Sequence, residues 1–308
     1  MRQDNIGRHK SDYRKGLVID AAAYLCAFGA AVPPFLLIEN PFAAAAVYTA
    51  AATTVLYLFS VVFSDVSIYD PYWSAAPPVI LLAVMIRFGF WNVNAILILA
   101  LVGLWSLRLT TNWLSVYKGL GHEDWRYAMY REKYPPLVFQ LISFFGLHFV
   151  PTAVVYAGLV SGLLTIRETR FTPRSAVGIL VMIGAVLLEF TADRAIHRFQ
   201  REHGSEGRTC DFSVWKYSCH PNYLGEISFW SGLYLYFAAL RPDIWYMGLG
   251  VLAVVFLFLT VSIPMMEQHN VQRRADYSAY QKRTSMLLLL PPKKEAEEES
   301  IRIGKQLR

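Results

Sequence analysis

Charge is scarce in this chain. Only 17% of the 308 residues are charged while 55% are hydrophobic, and the positive mean hydropathy excludes an ordinary soluble domain of this length. Cysteine is scarcer still. Cys26, Cys210 and Cys219 give no disulfide framework, and Cys210, Cys219 and His220 do not have the spacing of zinc ligands, so no metal site is expected. There is no internal repeat and no separate soluble domain, since the longest polar loops run to about 20 residues.

What fills the chain instead is apolar sequence in long blocks. They fall at 17–38, 42–64, 92–115, 137–166, 174–197, 222–240 and 243–265, with a shorter eighth at 74–91. A helix of roughly 20 residues crosses a hydrocarbon core about 30 Å thick. The predicted fold is therefore an all-α integral membrane bundle of seven to eight transmembrane helices. The first block is not expected to be a cleaved leader, because its polar lead is long, contains Asp4 and Asp12, and is followed by further spans. Residues 1–15 are expected to be a flexible polar lead and 293–308 a disordered charged tail. That leaves 16–292 as one membrane domain.

The formal charge of +6 invites a nucleic-acid reading, but its placement describes orientation. Eight spans beginning from a cytoplasmic N-terminus put the basic lead, the loops 116–135 and 198–221 and the basic tail inside. Mainly Arg167, Arg170, Arg174 and Arg241 remain outside. No nucleic-acid partner is expected, both termini are expected in the cytoplasm, and the partners are membrane lipids and a hydrophobic substrate.

Polar side chains within the spans recur in pairs: Arg108 with Asn112, Glu189 with Asp193, and Asn222 with Glu226. A spacing of four sets both members on one helix face, and ionisable groups at membrane depth are costly unless they pair or line a wet cavity. Trp105 and Trp230 continue two of these faces. A polar cavity open to the cytoplasm is the expectation, against a plain reading in which these groups snorkel or hold helices together. The loop from Arg198 to Pro221 adds Arg201, Arg208 and Lys216 with Phe212, Trp215 and Tyr217, a set suited to phosphates and flat rings. Cys219, His220, Pro221, Asn222 and Tyr223 then lead into a helix with Pro221 in its first turn. Asp70, Tyr72 and Trp73 mark another loop, and Glu123 to Tyr127 and Glu267 to Asn270, with Tyr277 and Tyr280, are read as a lid and a floor. His148 is read as a helix-packing hydrogen bonder.

The stretch WKYSCHPNYLGE, with DPYWS, RLTTNW, HEDWRY, EFTAD and DYSAYQKRTS, resembles the membrane-embedded steroid 5-alpha-reductase superfamily. That superfamily is also similar to the sterol reductases and, more distantly, to the isoprenylcysteine carboxyl methyltransferases. The resemblance covers roughly residues 65–290, and its HPNYLGE core does not separate reductases from methyltransferases. It implies NADPH enclosed by the later spans, with a lipid substrate entering from the membrane. Arg108, Asp193, Arg208, Asn222 and Glu226 match positions that contact the cofactor in the 5-alpha-reductases, and Glu189 replaces an Asn. Asn112, Arg201, Tyr217, His220, Tyr223 and Glu267 are the neighbouring candidates for the same cofactor. The tyrosine that meets the steroid carbonyl falls at Trp105, its partner glutamate has no clear equivalent, and Cys219 stands where close relatives usually have Arg. Tyr72, oriented by Asp70, is the substitute acid.

The expected activity is NADPH-dependent reduction of a carbon–carbon double bond conjugated to a carbonyl in a steroid-like or other lipid. An S-adenosylmethionine-dependent methyltransferase acting on a lipid or prenylated thiol, and a non-enzymatic lipid-binding protein, are the alternatives.

Overall fold

The computed structural model describes residues 2–204 and 207–293; the charged tail from Lys294 onward lies outside the described residues. The fold is helical throughout, and the only strand-like pairing among the described residues is an isolated bridge between Ser218 and Ser285. Among the described residues, seven helical segments are long and apolar enough to span a bilayer: Tyr13–Leu37, Pro41–Phe63, Val66–Phe88, Val93–Val116, Pro136–Thr165, Pro173–His203 and Pro242–Arg273. The chain is a multi-pass integral membrane protein.

The short block expected at 74–91 is among these seven, because a 3-10 turn at Val66–Tyr69 lengthens the helix Tyr72–Phe88 that follows. The helix left out is Pro221–Leu240. At about 1.5 Å per residue its 20 residues still reach about 30 Å, but Asn222 and Glu226 interrupt its apolar character.

The chain forms two compact units, Met1–Phe171 and Thr172–Arg308. The division falls in the short polar turn after Ile166, where no composition shift announces it.

The first unit contains α1 (Arg2–Leu37), α2 (Pro41–Phe63), α3 (Tyr72–Phe88), α4 (Val93–Val116), α5 (Trp125–Lys133), α6 (Pro136–Leu141) and α7 (Val150–Thr165), with a π-helical turn at Ile142–Phe149 between the last two. Residues read as a flexible lead belong to α1, which is helical from Arg2. Ala23, Ala27 and Ala31 of α1 and Ala44, Ala45 and Ala52 of α2 are fully buried, since small side chains let membrane helices approach closely. Asn40 caps α2 through Phe42 N (2.9 Å) and Ala43 N (3.1 Å). Arg87, at the end of α3, donates to the α1 carbonyls of Phe35 and Leu36. There it satisfies acceptors that a helix end leaves open. His148 in the π turn is buried between Ser60 Oγ (3.2 Å) and the Ser143 carbonyl (2.8 Å), the helix-packing role read from the sequence.

The loop 117–124 and α5 are tied to the segment 64–70. Asp65 accepts from Ser67 N (2.9 Å) and Gly121 N (2.7 Å). Glu123 accepts from Val66 N (2.9 Å) and holds Arg131 at 2.7 Å, and Ser67 Oγ accepts from Asp124 N (3.0 Å). Glu123 and Asp124, read as part of a lid, thus form a loop clamp with Asp65, Ser67 and Arg131. Asp65 is 2% exposed, and charge-assisted bonds contribute roughly 1.5–3 kcal/mol each. Asp65→Ala is expected to cost about 3 kcal/mol or more by that arithmetic and to open 117–124 to limited proteolysis. Unchanged cleavage there would contradict the clamp.

The second unit contains α8 (Ala176–His203), α9 (Pro221–Leu240), α10 (Val251–Leu257), α11 (Ile263–Arg273) and α12 (Tyr277–Arg283), with a π turn at Phe258–Ser262. Helices α8 and α9 pack with glycine at the contact. A β-carbon on Gly178 would lie 2.6 Å from Tyr236 N, and one on Gly232 would lie 3.0 Å from Gly178 O.

Candidate functional site

In the second unit the sequence pairs on α8 and α9 come together because of a glycine. Glu189 is fully buried, and its side chain lies where a β-carbon on Gly225 would be. This brings a buried carboxyl of α8 against the helix turn that carries Asn222 and Glu226. Glu226 is buried as well, while Asn222, Tyr223 and Asp193 are half-buried. The loop between the helices folds back on the same region, with Trp215 Nε1 donating to the Ala192 carbonyl at 2.9 Å, one residue before Asp193. A short 3-10 turn at Ser213–Lys216 presents that indole. Arg201, Arg208, Lys216 and Tyr217 are exposed.

His220 sits at the N-cap of α9 with Pro221 at the first helical position, and it makes no side-chain cap. Its ring turns to α11 instead. Nε2 lies 2.6 Å from Glu267 Oε1, and Tyr277 donates to the same oxygen at 3.0 Å. The His220 ring stacks on Tyr223 with centroids 5.2 Å apart and planes at 11°. The amides in the first turn of α9 are therefore not taken by the His220 side chain, and a helix start of that kind favours an anion.

The floor beneath is built by residues that carried little weight in the sequence. Tyr280 donates to the carbonyls of Trp215 (2.5 Å) and Ser218 (3.0 Å). Ser218 Oγ donates to Leu287 O (2.7 Å) and Cys219 N to Ser285 O (2.8 Å). Asp276 accepts from Thr209 N (2.9 Å) and Thr209 Oγ1 (2.6 Å). The motif DYSAYQKRTS thus anchors the loop 209–220 from behind, and its alternating Tyr and polar positions were the available signal. Cys219 is packed with Tyr277 and Tyr280. Burial first, and the Glu267 carboxylate second, push its thiol up to about 12. It stays protonated at neutral pH and is no nucleophile.

The first unit holds the other candidates. Trp105 and Tyr72 are buried, and Arg108 and Asn112 of α4 are half-buried. Asp70 does not orient Tyr72. It accepts from Tyr127 OH at 2.5 Å, whereas Tyr72 OH donates to the Thr49 carbonyl at 3.1 Å. Two positions apart at the start of a helix, these side chains point to different faces, so Asp70 joins the loop clamp and Tyr72 turns to α2.

The family described as "Protein of unknown function (DUF1295)" matches residues 56–284. The chain belongs to the DUF1295 family. The match takes in α3 to α12 and every side chain of the site just described, from Glu189 to Tyr280. No curated protein and no solved structure matches the chain.

Proposed function

We propose that this DUF1295 protein is an NADPH-dependent membrane oxidoreductase that reduces a carbon–carbon double bond conjugated to a carbonyl in a steroid-like or other lipid. One observation carries the reading: the loop joining α8 and α9, with exposed Arg208, Lys216 and Tyr217, is tied through Trp215 to α8 beside Asp193 and leads into the helix that carries Asn222 and buried Glu226. The donor set fits a dinucleotide phosphate, since guanidinium forks and backbone amides at a helix start both recognise phosphate oxygens. Tyr217, 42% exposed, offers a flat face for a base. Arg201, Arg208, Tyr217, Asn222 and Tyr223 would hold the cofactor, which supplies a hydride when bound. His220, fixed by Glu267, positions the turn that carries Asn222. The assignment of Arg108 and Asn112 to the same cofactor rests on the superfamily resemblance alone. The choice of Tyr72 as the acid toward the carbonyl oxygen rests on the sequence alone, and its hydroxyl would have to leave the Thr49 carbonyl that it donates to at 3.1 Å. The asymmetry of Lys and Arg supports cytoplasmic termini.

The test is nucleotide binding by the purified protein in lipid nanodiscs. NADPH is expected to bind saturably, and Arg208→Ala to weaken it about tenfold, the usual size of a charge-assisted phosphate contact. Turnover of an enone panel would follow. Binding of S-adenosylmethionine in place of NADPH would overturn the reading in favour of a methyltransferase.

A further inference from the structure

The second unit holds a cavity of about 100 Å³ lined by Asp211, Lys216, Arg283, Thr284 and Pro292. A single water needs about 10–15 Å³ of such space, so several waters fit, or a phosphate group in their place. None of the residues named to hold the nucleotide lines it.

Backbone bonds hold its shape. Past α12 the chain closes a loop on itself, Lys293 N donating to Arg283 O at 3.0 Å, and this loop is joined to the segment 217–219 by Leu290 N to Tyr217 O (3.1 Å) and Cys219 N to Ser285 O (2.8 Å). Arg283 is fixed from two sides. Its Nη2 pairs with Asp211 Oδ2 at 2.7 Å, and its Cζ lies 5.9 Å from the centroid of the Tyr280 ring. The pair uses one of five guanidinium hydrogens, and Nε and Nη1 make no hydrogen bond among the described residues. Buried Thr284 adds a hydroxyl-bearing side chain to the same wall. Lys216 and Arg283 against Asp211 leave the lining with a net positive charge, and a held guanidinium beside an ammonium suits phosphate oxygens.

The surroundings of the cavity indicate which phosphate. On the loop that frames it, Met286, Leu288, Leu289 and Leu290 are all exposed, a cluster of large apolar side chains that is costly in water and at ease among acyl chains. This loop follows the span Pro242–Arg273, and the opposite wall, Asp211 to Lys216, follows the span Pro173–His203. With α9 crossing between those spans, both walls stand on one side, where the chain leaves the membrane. An apolar face beside a cationic recess is how a protein surface engages an anionic lipid. The geometry points to a headgroup site for a phospholipid that ends in a phosphomonoester. Arg283 and Lys216 donate to its phosphate oxygens, and its acyl chains lie over Met286 and the three leucines. A soluble phosphate gains nothing from those leucines, and a choline headgroup brings a third cation to the recess. The site does not rest on the reductase reading and needs no nucleotide.

The experiment uses full-length protein in a non-ionic detergent, with phosphatidic acid carrying a fluorescent acyl chain as probe. It is expected to bind saturably and about tenfold more tightly than phosphatidylcholine with the same label, the scale of one charge-assisted contact. Lys216→Gln and Arg283→Gln should each remove most of that preference. Lys282→Gln, on the same helix as Arg283 but outside the cavity, should keep it, which separates the cavity from general attraction to a basic surface. Replacing Leu288 and Leu289 together by serine should weaken binding of both lipids. Should Arg283→Gln not fold, Lys216→Gln decides, because that side chain is exposed. Equal binding of the two lipids by the wild type would overturn the inference, as would a preference that survives Lys216→Gln. Displacement of the probe by inorganic phosphate at the same concentration would give the cavity to a free anion, and displacement by NADPH would give it to the nucleotide; either result removes the lipid assignment.

Discussion

Gly178→Ala is expected to lower the melting temperature sharply, although alanine is a better helix former than glycine. The new β-carbon would sit 2.6 Å from Tyr236 N, 2.7 Å from Gly232 O and 2.8 Å from Tyr236 Cα. All three atoms are backbone, so no side chain can rotate away, and α8 and α9 must separate along their contact. Overpacking commonly costs about 1–3 kcal/mol when side chains can shift; a backbone clash belongs at or above the top of that range. The same helix supplies the control. A β-carbon at Gly184 meets nothing within 4 Å, so Gly184→Ala should be neutral or stabilise by up to about 1 kcal/mol through helix propensity alone. Thermal unfolding of both variants in one detergent separates the two effects. Equal melting temperatures would mean that α8 and α9 do not pack as described. Because Glu189 packs against Gly225 across the same pair of helices, Gly178→Ala should also weaken nucleotide binding if the proposed function holds.

This pairing shows where sequence was informative and where it was not. The spans at 42–64, 92–115 and 137–166 were legible because apolar runs of membrane length have few other uses. Asn222 and Glu226 were legible as a pair because helical spacing alone puts them on one face. Gly225, which lets Glu189 reach that face, was not, since a glycine inside an apolar helix says nothing about what will lie against it. Asp70 and Tyr72 failed for a related reason. Adjacency in sequence was read as adjacency in space, but the start of α3 turns the two side chains apart, and a partner 57 residues away, Tyr127, takes the carboxylate.

Glu267→Ala is expected to be the most damaging single change on α11, and its comparison with Glu267→Gln separates support from recognition. One carboxylate oxygen serves both His220 Nε2 at 2.6 Å and Tyr277 OH at 3.0 Å, and both partners are 2% exposed. Alanine leaves two buried polar groups without an acceptor, at roughly 1–3 kcal/mol each. Glutamine keeps an oxygen that can accept from both and loses only the charge, so it should recover much of that stability. Tyr277→Phe removes one bond and should fall between them. Charge has its own readout at Cys219, since the Glu267 carboxylate helps to raise that thiol to about 12. Glu267→Gln should therefore move the alkylation profile of Cys219 to lower pH, while burial, the larger cause, keeps it above an ordinary thiol. If Glu267 only ties α11 to the start of α9, the glutamine variant will bind NADPH like the wild type. If its charge orients His220 beside Asn222, as the proposed function requires, the glutamine variant will fold and still bind the nucleotide more weakly. An alanine variant as stable as the glutamine variant would remove the basis for both, because the shared acceptor would then hold nothing in place.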